Sequence, residues 1–342
     1  MKQLDYLLPP GHLFMIDEQN LFKISTRDLQ HISRVGVLVN ILLRTVMAGL
    51  KSDPCMVSEL LFSGLAPDYR ALGMCHPERA PMLTRVDLMV DVCGRWRIAE
   101  IDPANKHGSG FSLAIRYESG AGERQKLLSL IAPLVTDDLT IVLGRNESFF
   151  RYEQRYFAQK LAEFTGKNVK VIAEEKLSRN LDGLNLILDF PFCHDAENVK
   201  LLGRLFMERP EIFINPPRHG LGGKALMTLP WEHEQWLELA GMNQIEIQEL
   251  KAYLPPTYSG PFVGKEVFSS GAKGVNFDSI GKHTVFQKYV EQRPFDMNGE
   301  KKFIRMSCIF VGPSLGELAV SANTELPVHG GNTSVHYHVN VG

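Results

Sequence analysis

Along residues 27–50, RDLQHISRVGVLVNILLRTVMAGL, apolar side chains return every three or four positions, which predicts a long amphipathic helix. Ser52-Asp53-Pro54 breaks it before a second helical stretch beginning near Cys55, so the N-terminal part is expected to be helical. From Arg85 to Asp102 the period changes to that of strands, with a turn at Cys93-Gly94 and Trp96, Ile98, Glu100 and Asp102 sharing one parity after it. SLAIRYESGAGERQKLLSLIAPLV then mixes a glycine-containing turn with helix. The short β-branched run LTIVLG (139–144), a helix closing at Gly166 and the strand VKVIAEEKL make a βαβ unit. LNLILDF (184–190), the helical KLLGRLFMERP and the apolar EIFIN continue it. A parallel sheet covered on both faces places ligands beyond its strand ends, but no GxGxxG fingerprint follows any of these strands, which disfavours a Rossmann dehydrogenase.

From about residue 215 the chain becomes glycine-rich, in NPPRHGLGGK and again in PPTYSGPFVGKEVFSSGAKGVNF. HTVFQKYVEQRPF begins as a strand and turns at Arg293-Pro294, and FIRMSCIFVGPSLGELAV reads as two paired strands. Boundaries near 136 and 215 give three regions: 1–135 with the helices and the acidic hairpin, 136–215 with the central βαβ unit, and 216–342 with the glycine-rich loops and C-terminal strands. The class is α/β with α+β elements. At 342 residues with 44% hydrophobic content, the chain can bury a substantial core. A net charge of −2 supplies no general attraction for nucleic acid or an anionic membrane, so a small-molecule partner is expected. The N-terminus lacks a signal-peptide core and apolar stretches elsewhere read as short of a membrane span, which makes the cytoplasm the expected location. Five cysteines without a CxxC pair argue against a disulfide framework or a thiolate zinc site and read as mostly buried thiols.

The acids of the hairpin admit two readings. Glu100 and Asp102 share a strand face and a hairpin partner brings Asp87 beside them, an oxygen-only set suited to Mg²⁺; or they are ordinary solvated acids. Lys265, at the end of the strand-like PFVGK, precedes Gly271, Lys273 and Gly274, whose loop is either a phosphate-covering lid or a structural glycine turn. Lys224 sits where a glycine-rich turn meets an apolar start. Gln287 and Tyr289 are expected on one strand face, in a connector able to read an adenine edge. Arg305, inside an apolar strand, calls for an anionic partner. In the tail, His336 and His338 share a face and His329 lies across a turn; they read as a polar strand lining a cleft or, less readily, as metal ligands. Gly108 and Gly110 suggest close approach of the backbone to a ligand.

These residues resemble the ATP-grasp superfamily in the circularly permuted arrangement of glutathionylspermidine synthase. That family's Arg-x-Asp strand followed by Glu-x-Asn is matched through Arg85, Asp87 and Glu100, with Asp102 replacing the asparagine. Its Ser-Asn-Lys corresponds to Gly222-Gly223-Lys224, its strand lysine and lid glycine to Lys265 and Gly274, and its connector to Gln287-Lys288-Tyr289. The resemblance runs from about Arg85 to Asn323 and is loose over the first 80 residues. It implies an ATP-grasp-like fold, ATP and Mg²⁺ as cofactors, and a carboxylate–amine ligase working through an acyl phosphate. In that setting Asp87, Glu100 and Asp102 hold the metal, Lys224, Lys265, Gly271, Lys273, Gly274, Gln287 and Tyr289 the nucleotide, and Arg85 and Arg305 the reacting anions. The alternative is a nucleotide-binding sensor or scaffold without turnover, which Asp102 in place of asparagine permits. The partners this implies are ATP and a small-molecule or peptide carboxylate with an amine, without nucleic acid or membrane, in a chain that could form a homo-oligomer.

Overall fold

The computed structural model describes residues 1–62, 65, 67–103, 107–120, 125–144, 149–178, 184–187, 196–222, 224–258, 263–266, 275–276, 284–326, 328 and 334–342. Three short strands, β1 (Lys2–Gln3), β2 (Met15–Ile16) and β3 (Phe22–Ile24), precede the helices α1 (Thr26–Ser52), α2 (Pro54–Leu61) and α3 (Pro67–Met74). The hairpin β4 (Leu83–Val90) and β5 (Trp96–Asp102) is followed by α4 (Ser109–Glu118) and α5 (Lys126–Ile131). Then come β6 (Leu139–Leu143), α6 (Arg151–Thr165), β7 (Val169–Ala173), β8 (Leu184–Ile187), α7 (Ala196–Glu208) and β9 (Phe213–Asn215). The remainder comprises α8 (Leu229–Glu232), α9 (Glu234–Leu239), α10 (Gln244–Tyr253), β10 (Thr257–Tyr258), β11 (Val263–Glu266), β12 (Val275–Asn276), β13 (Thr284–Gln287), β14 (Phe295–Met297), β15 (Glu300–Val311), β16 (Ser314–Asn323) and β17 (Val335–Val341). The chain is thus a mixed α/β protein.

Helix α1 starts where the chemistry of its cap dictates. Ser25 accepts from the Asp28 N–H and Asp28 accepts from the Ser25 N–H, a reciprocal capping box, while the other Asp28 oxygen takes the Trp96 indole N–H at 2.8 Å. Its buried face, Ile32 to Leu50, lies on the main sheet and in the largest core cluster with Val86, Leu88, Ile98, Met306, Cys308 and Val320. The approach is close enough that a Cβ on Gly36 would sit 2.1 Å from the Phe310 ring. By length and composition this helix could cross a membrane, contrary to the expectation that no stretch was long enough; in this fold its apolar face is core.

The main sheet has the strand order β1-β2-β17-β16-β15-β4-β5, with β14 on β15 and β3 on β17. The start of the chain therefore forms edge strands rather than only helix, because β17 leaves its outer edge open to β2 and β3, which join it in parallel. Helices α4 and α5 cover the face opposite α1. The second sheet, β7-β6-β8-β9, is parallel throughout. Ile141 and Leu143 join the cluster of α6, and Val142 joins that of α7, so period-two alternation fills both faces. A third sheet, β10-β13-β11-β12, is antiparallel and packs against the 3₁₀ turn Lys224–Thr228, which also touches β5.

Arg218 fixes the approach to that turn. Its buried guanidinium donates to the carbonyls of Gly73, Cys75, His76 and Arg79 and lies over the Phe206 ring. Burial draws its pKa down to about 10, far enough above neutrality that it stays charged. Of the cysteines described, Cys308 is buried, Cys75 partly so, and Cys93 exposed in the β4–β5 turn, where Gly94 takes φ 78°.

Candidate functional site

Register places the charges. Arg85 pairs with Asp102 and Asp87 with Glu100 across β4–β5, while Ser307 on β15 faces Asp87 from the other side. Cross-strand partners project to the same face, so four charged side chains line adjacent positions on the face away from α1. A bulge between Asp87 and Leu88 then restores the apolar alternation with Ile98. Arg85 binds both neighbours, with Nε 3.3 Å from Asp87 and Nη2 3.3 Å from Asp102. Burial works against its charge, but Asp87, Asp102 and Glu100 outweigh it and raise its pKa. Lys224 reaches across from its 3₁₀ turn to pair with Glu100. Asp87 is 1% exposed; one oxygen accepts from Ser307 at 2.8 Å and the other, Oδ2, is buried without a hydrogen-bond donor among the described residues, 3.7 Å from Arg305.

The three acids do not converge as an all-acid metal set. Among the described residues no three His, Cys, Asp or Glu side chains are placed to hold a metal ion. Asp102 is turned to Arg85 and Glu100 to Lys224, because three carboxylates on neighbouring strands repel unless cations are interleaved. The anionic partner expected for Arg305 is Asp87 itself.

The end of the site is closed by a residue without a sequence signal. Glu153, in the first turn of α6, accepts from the Gly108 N–H at 2.9 Å and the Gly110 N–H at 2.7 Å, holding the start of α4. Burial raises its pKa to about 7, although the bonds from Gly108, Gln154 and Gly110 act the other way. The two glycines read as ligand-approach positions thus admit a protein carboxylate instead, and Gly108 takes φ 108° as the N-cap of α4. His107 stacks on Phe150 at 3.9 Å, and its Nδ1 lies 3.1 Å from Arg85. Burial, then Arg85, holds its pKa well below the usual histidine value, so it is neutral at pH 7.

On the nucleotide side, Lys265 lies in β11 with its backbone between Val275 and Val285. Gln287, at the end of β13, is buried with its amide 3.3 Å from Thr257 Oγ1, whereas Tyr289 is 54% exposed. The expected shared face of these two residues is not formed, because β13 ends at Gln287. Gly271, Lys273, Gly274 and His329 lie outside the described residues.

His336 and His338 do share a face of β17, and both are buried. Burial, reinforced by Arg305, lowers the His336 pKa to about 3. A histidine neutral in the fold and protonated in the unfolded chain favours folding fully above about pH 6.5 and loses that contribution as pH falls toward 3. Denaturant titrations are expected to show roughly 2 kcal/mol of stability lost to this residue between pH 6.5 and 5. The same pH difference in a His336→Phe protein would leave His336 without that role.

No family model matches the sequence, and no curated protein is significantly similar to it. Among solved structures, a glutathione synthetase-like effector from Globodera pallida in its apo form superposes with a TM-score of 0.56 at 9% identity, over 99% of this chain and 95% of that one. A provisionally assigned gamma-glutamylcysteine synthetase from Methylobacillus flagellatus KT covers 83% of this chain and 82% of its own at 9% identity, with a TM-score of 0.33, too loose to bear on the fold. The first likeness is one of fold: the mixed α/β architecture is similar to that of glutathione synthetase-like proteins.

Proposed function

We propose that this protein is an ATP-dependent carboxylate–amine ligase. The observation that carries the reading is the partly buried row Glu100, Asp87, Arg85, Asp102 with Lys224 and Arg305, on a sheet joined through the Lys224–Thr228 turn to the small sheet that contains Lys265. A substrate carboxylate oxygen attacks the γ-phosphorus of ATP, the bond to the bridging oxygen breaks and ADP leaves. An amine nitrogen then attacks the acyl carbon, phosphate departs, and the nitrogen loses its proton as the amide forms. Phosphoryl transfer of this kind needs alignment and charge neutralisation more than covalent help. In this reading Arg85 holds the attacking carboxylate and the transferred phosphoryl group, and Lys224 and Lys265 hold the phosphates.

The residues fit Mg²⁺ through two carboxylates rather than three. Asp87 keeps an oxygen without a donor, Glu100 is its cross-strand neighbour, and Mg²⁺ commonly takes one or two carboxylates, water and nucleotide phosphates. When bound there, the ion would screen the phosphate charge. Binding of ATP would draw Lys224 from Glu100 toward the phosphates, leaving Glu100 to share the cation with Asp87. One observation favours a second reading, a nucleotide-binding sensor or scaffold: Glu100 and Lys224 already satisfy each other. A screen of amino acids, short peptides and polyamines for ATP-dependent phosphate release separates the two. Release that requires both a carboxylate and an amine supports the ligase; tight ATP binding without release in any pool rejects it.

A further inference from the structure

The polar face continues past Asp87 toward the C-terminal strand. Arg305, Ser321 and His336 are successive cross-strand neighbours on β15, β16 and β17. His336 is 3% exposed; its Nδ1 lies 3.0 Å from Ser321 Oγ, and its Nε2 is buried with no hydrogen-bond partner among the described residues. The ring stacks on Phe14 at 4.1 Å and 9°, and Phe14 stacks in turn on Phe111 at 4.7 Å and 12°. Arg305 Nε is also buried without a hydrogen-bond acceptor, although its side chain as a whole remains 23% exposed. Leaving a polar group buried and unpaired costs about 1–3 kcal/mol, so unpaired atoms on β15 and β17, on either side of Ser321 in β16, mark where a polar ligand group fits.

We propose that Arg305 and His336 form a subsite for a carboxylate of the amine substrate, with the Phe14–Phe111 column limiting its bulk. The assignment to the amine substrate rests on the ligase reading. With the Ser321 hydroxyl as donor to Nδ1, Nε2 would carry the ring hydrogen and serve as a donor to the carboxylate. Arg305 supplies a second N–H and positive charge, which excludes an ammonium group. Asp87, 3.7 Å from Arg305, contributes one negative charge, so a monoanion is accommodated better than a phosphate dianion. The amine that attacks the acyl phosphate therefore belongs to a molecule with a carboxylate at its other end, such as an amino acid or short peptide.

The test is calorimetric titration of the full chain, without nucleotide, against a panel of N-acetyl amino acids and the matching N-acetyl amino acid amides. At least one free acid is expected to bind, with its amide at least tenfold weaker. His336→Phe preserves an aromatic stack but removes the donor and is expected to weaken acid binding at least tenfold; Ser321→Ala, a small change that releases the tautomer, at least threefold. Failure of every acid to exceed its amide, or binding within twofold of wild type in both folded variants, overturns the subsite. Because no nucleotide is present, a protein that binds the acid but never releases phosphate refutes the ligase and keeps the carboxylate subsite. A working ligase indifferent to acid or amide refutes the subsite alone.

Discussion

An Asp87→Asn protein is expected to release phosphate from ATP at least about 10²-fold more slowly than wild type under substrate-saturated conditions, and to lose its response to added Mg²⁺. The side chain keeps its shape and one oxygen for Ser307 Oγ, so the sheet register survives. What it loses is the charge between Arg85 and Arg305, together with the oxygen that now has no donor. A stability loss accompanies this, because two cations remain beside a neutral amide, and breaking a buried pair costs on the order of 3–5 kcal/mol when nothing relaxes. Turnover is therefore compared at a temperature where both proteins are folded by circular dichroism. Phosphate release equal to wild type, with the same Mg²⁺ dependence, would falsify the role given to Asp87.

A second large effect on stability is expected at Gly110. A Cβ there would lie 2.0 Å from the backbone oxygen of Glu153 and 2.5 Å from its carboxylate, and the nearer contact is with main chain that cannot rotate away. Gly110→Ala must separate α4 from α6 and with it break the bonds that Gly108 and Gly110 donate to Glu153. Overpacking of this kind costs about 1–3 kcal/mol and the loss of partners for a buried acid adds a similar amount, so a decrease of roughly 3 kcal/mol or more in unfolding free energy is expected. Guanidinium titration measures it. A decrease below 0.5 kcal/mol, on the order of an ordinary surface substitution, would show that α4 tolerates a shift and that Glu153 does not set its position.

Much of the secondary structure was legible in local pattern. The apolar recurrence over 27–50 corresponds to α1, the β-branched run at 139–144 to β6, and the start of LNLILDF at 184–190 to β8, its residues 188–190 lying outside the described ones. Part of the hairpin was legible for a different reason: Glu100 and Asp102 share parity and therefore a strand face, and the pairing register across the Gly94 turn sets Asp87 opposite Glu100. Less of the site could be read. Glu153 lies in an unremarkable first turn of helix, and only the packing of α6 against α4 brings it onto the Gly108 and Gly110 amides. His336 and Phe14 are more than 300 positions apart and meet because β2 adds in parallel to β17.

By itself the sequence determined where charge and backbone freedom would occur: acids at one parity in the hairpin, lysines at Gly-rich junctions, and an arginine within an apolar strand. Periodicity and side-chain chemistry act over a few residues, so these features need no distant partner to be read. Only the tertiary structure decided which charges neutralise one another. Electrostatic pairing and desolvation depend on distances between segments far apart in the chain, and those distances made Arg85 and Lys224 partners of the acids, turned an expected three-acid cluster into an interleaved row, and left Asp87, Arg305 and His336 with buried atoms that have no hydrogen-bond partner among the described residues.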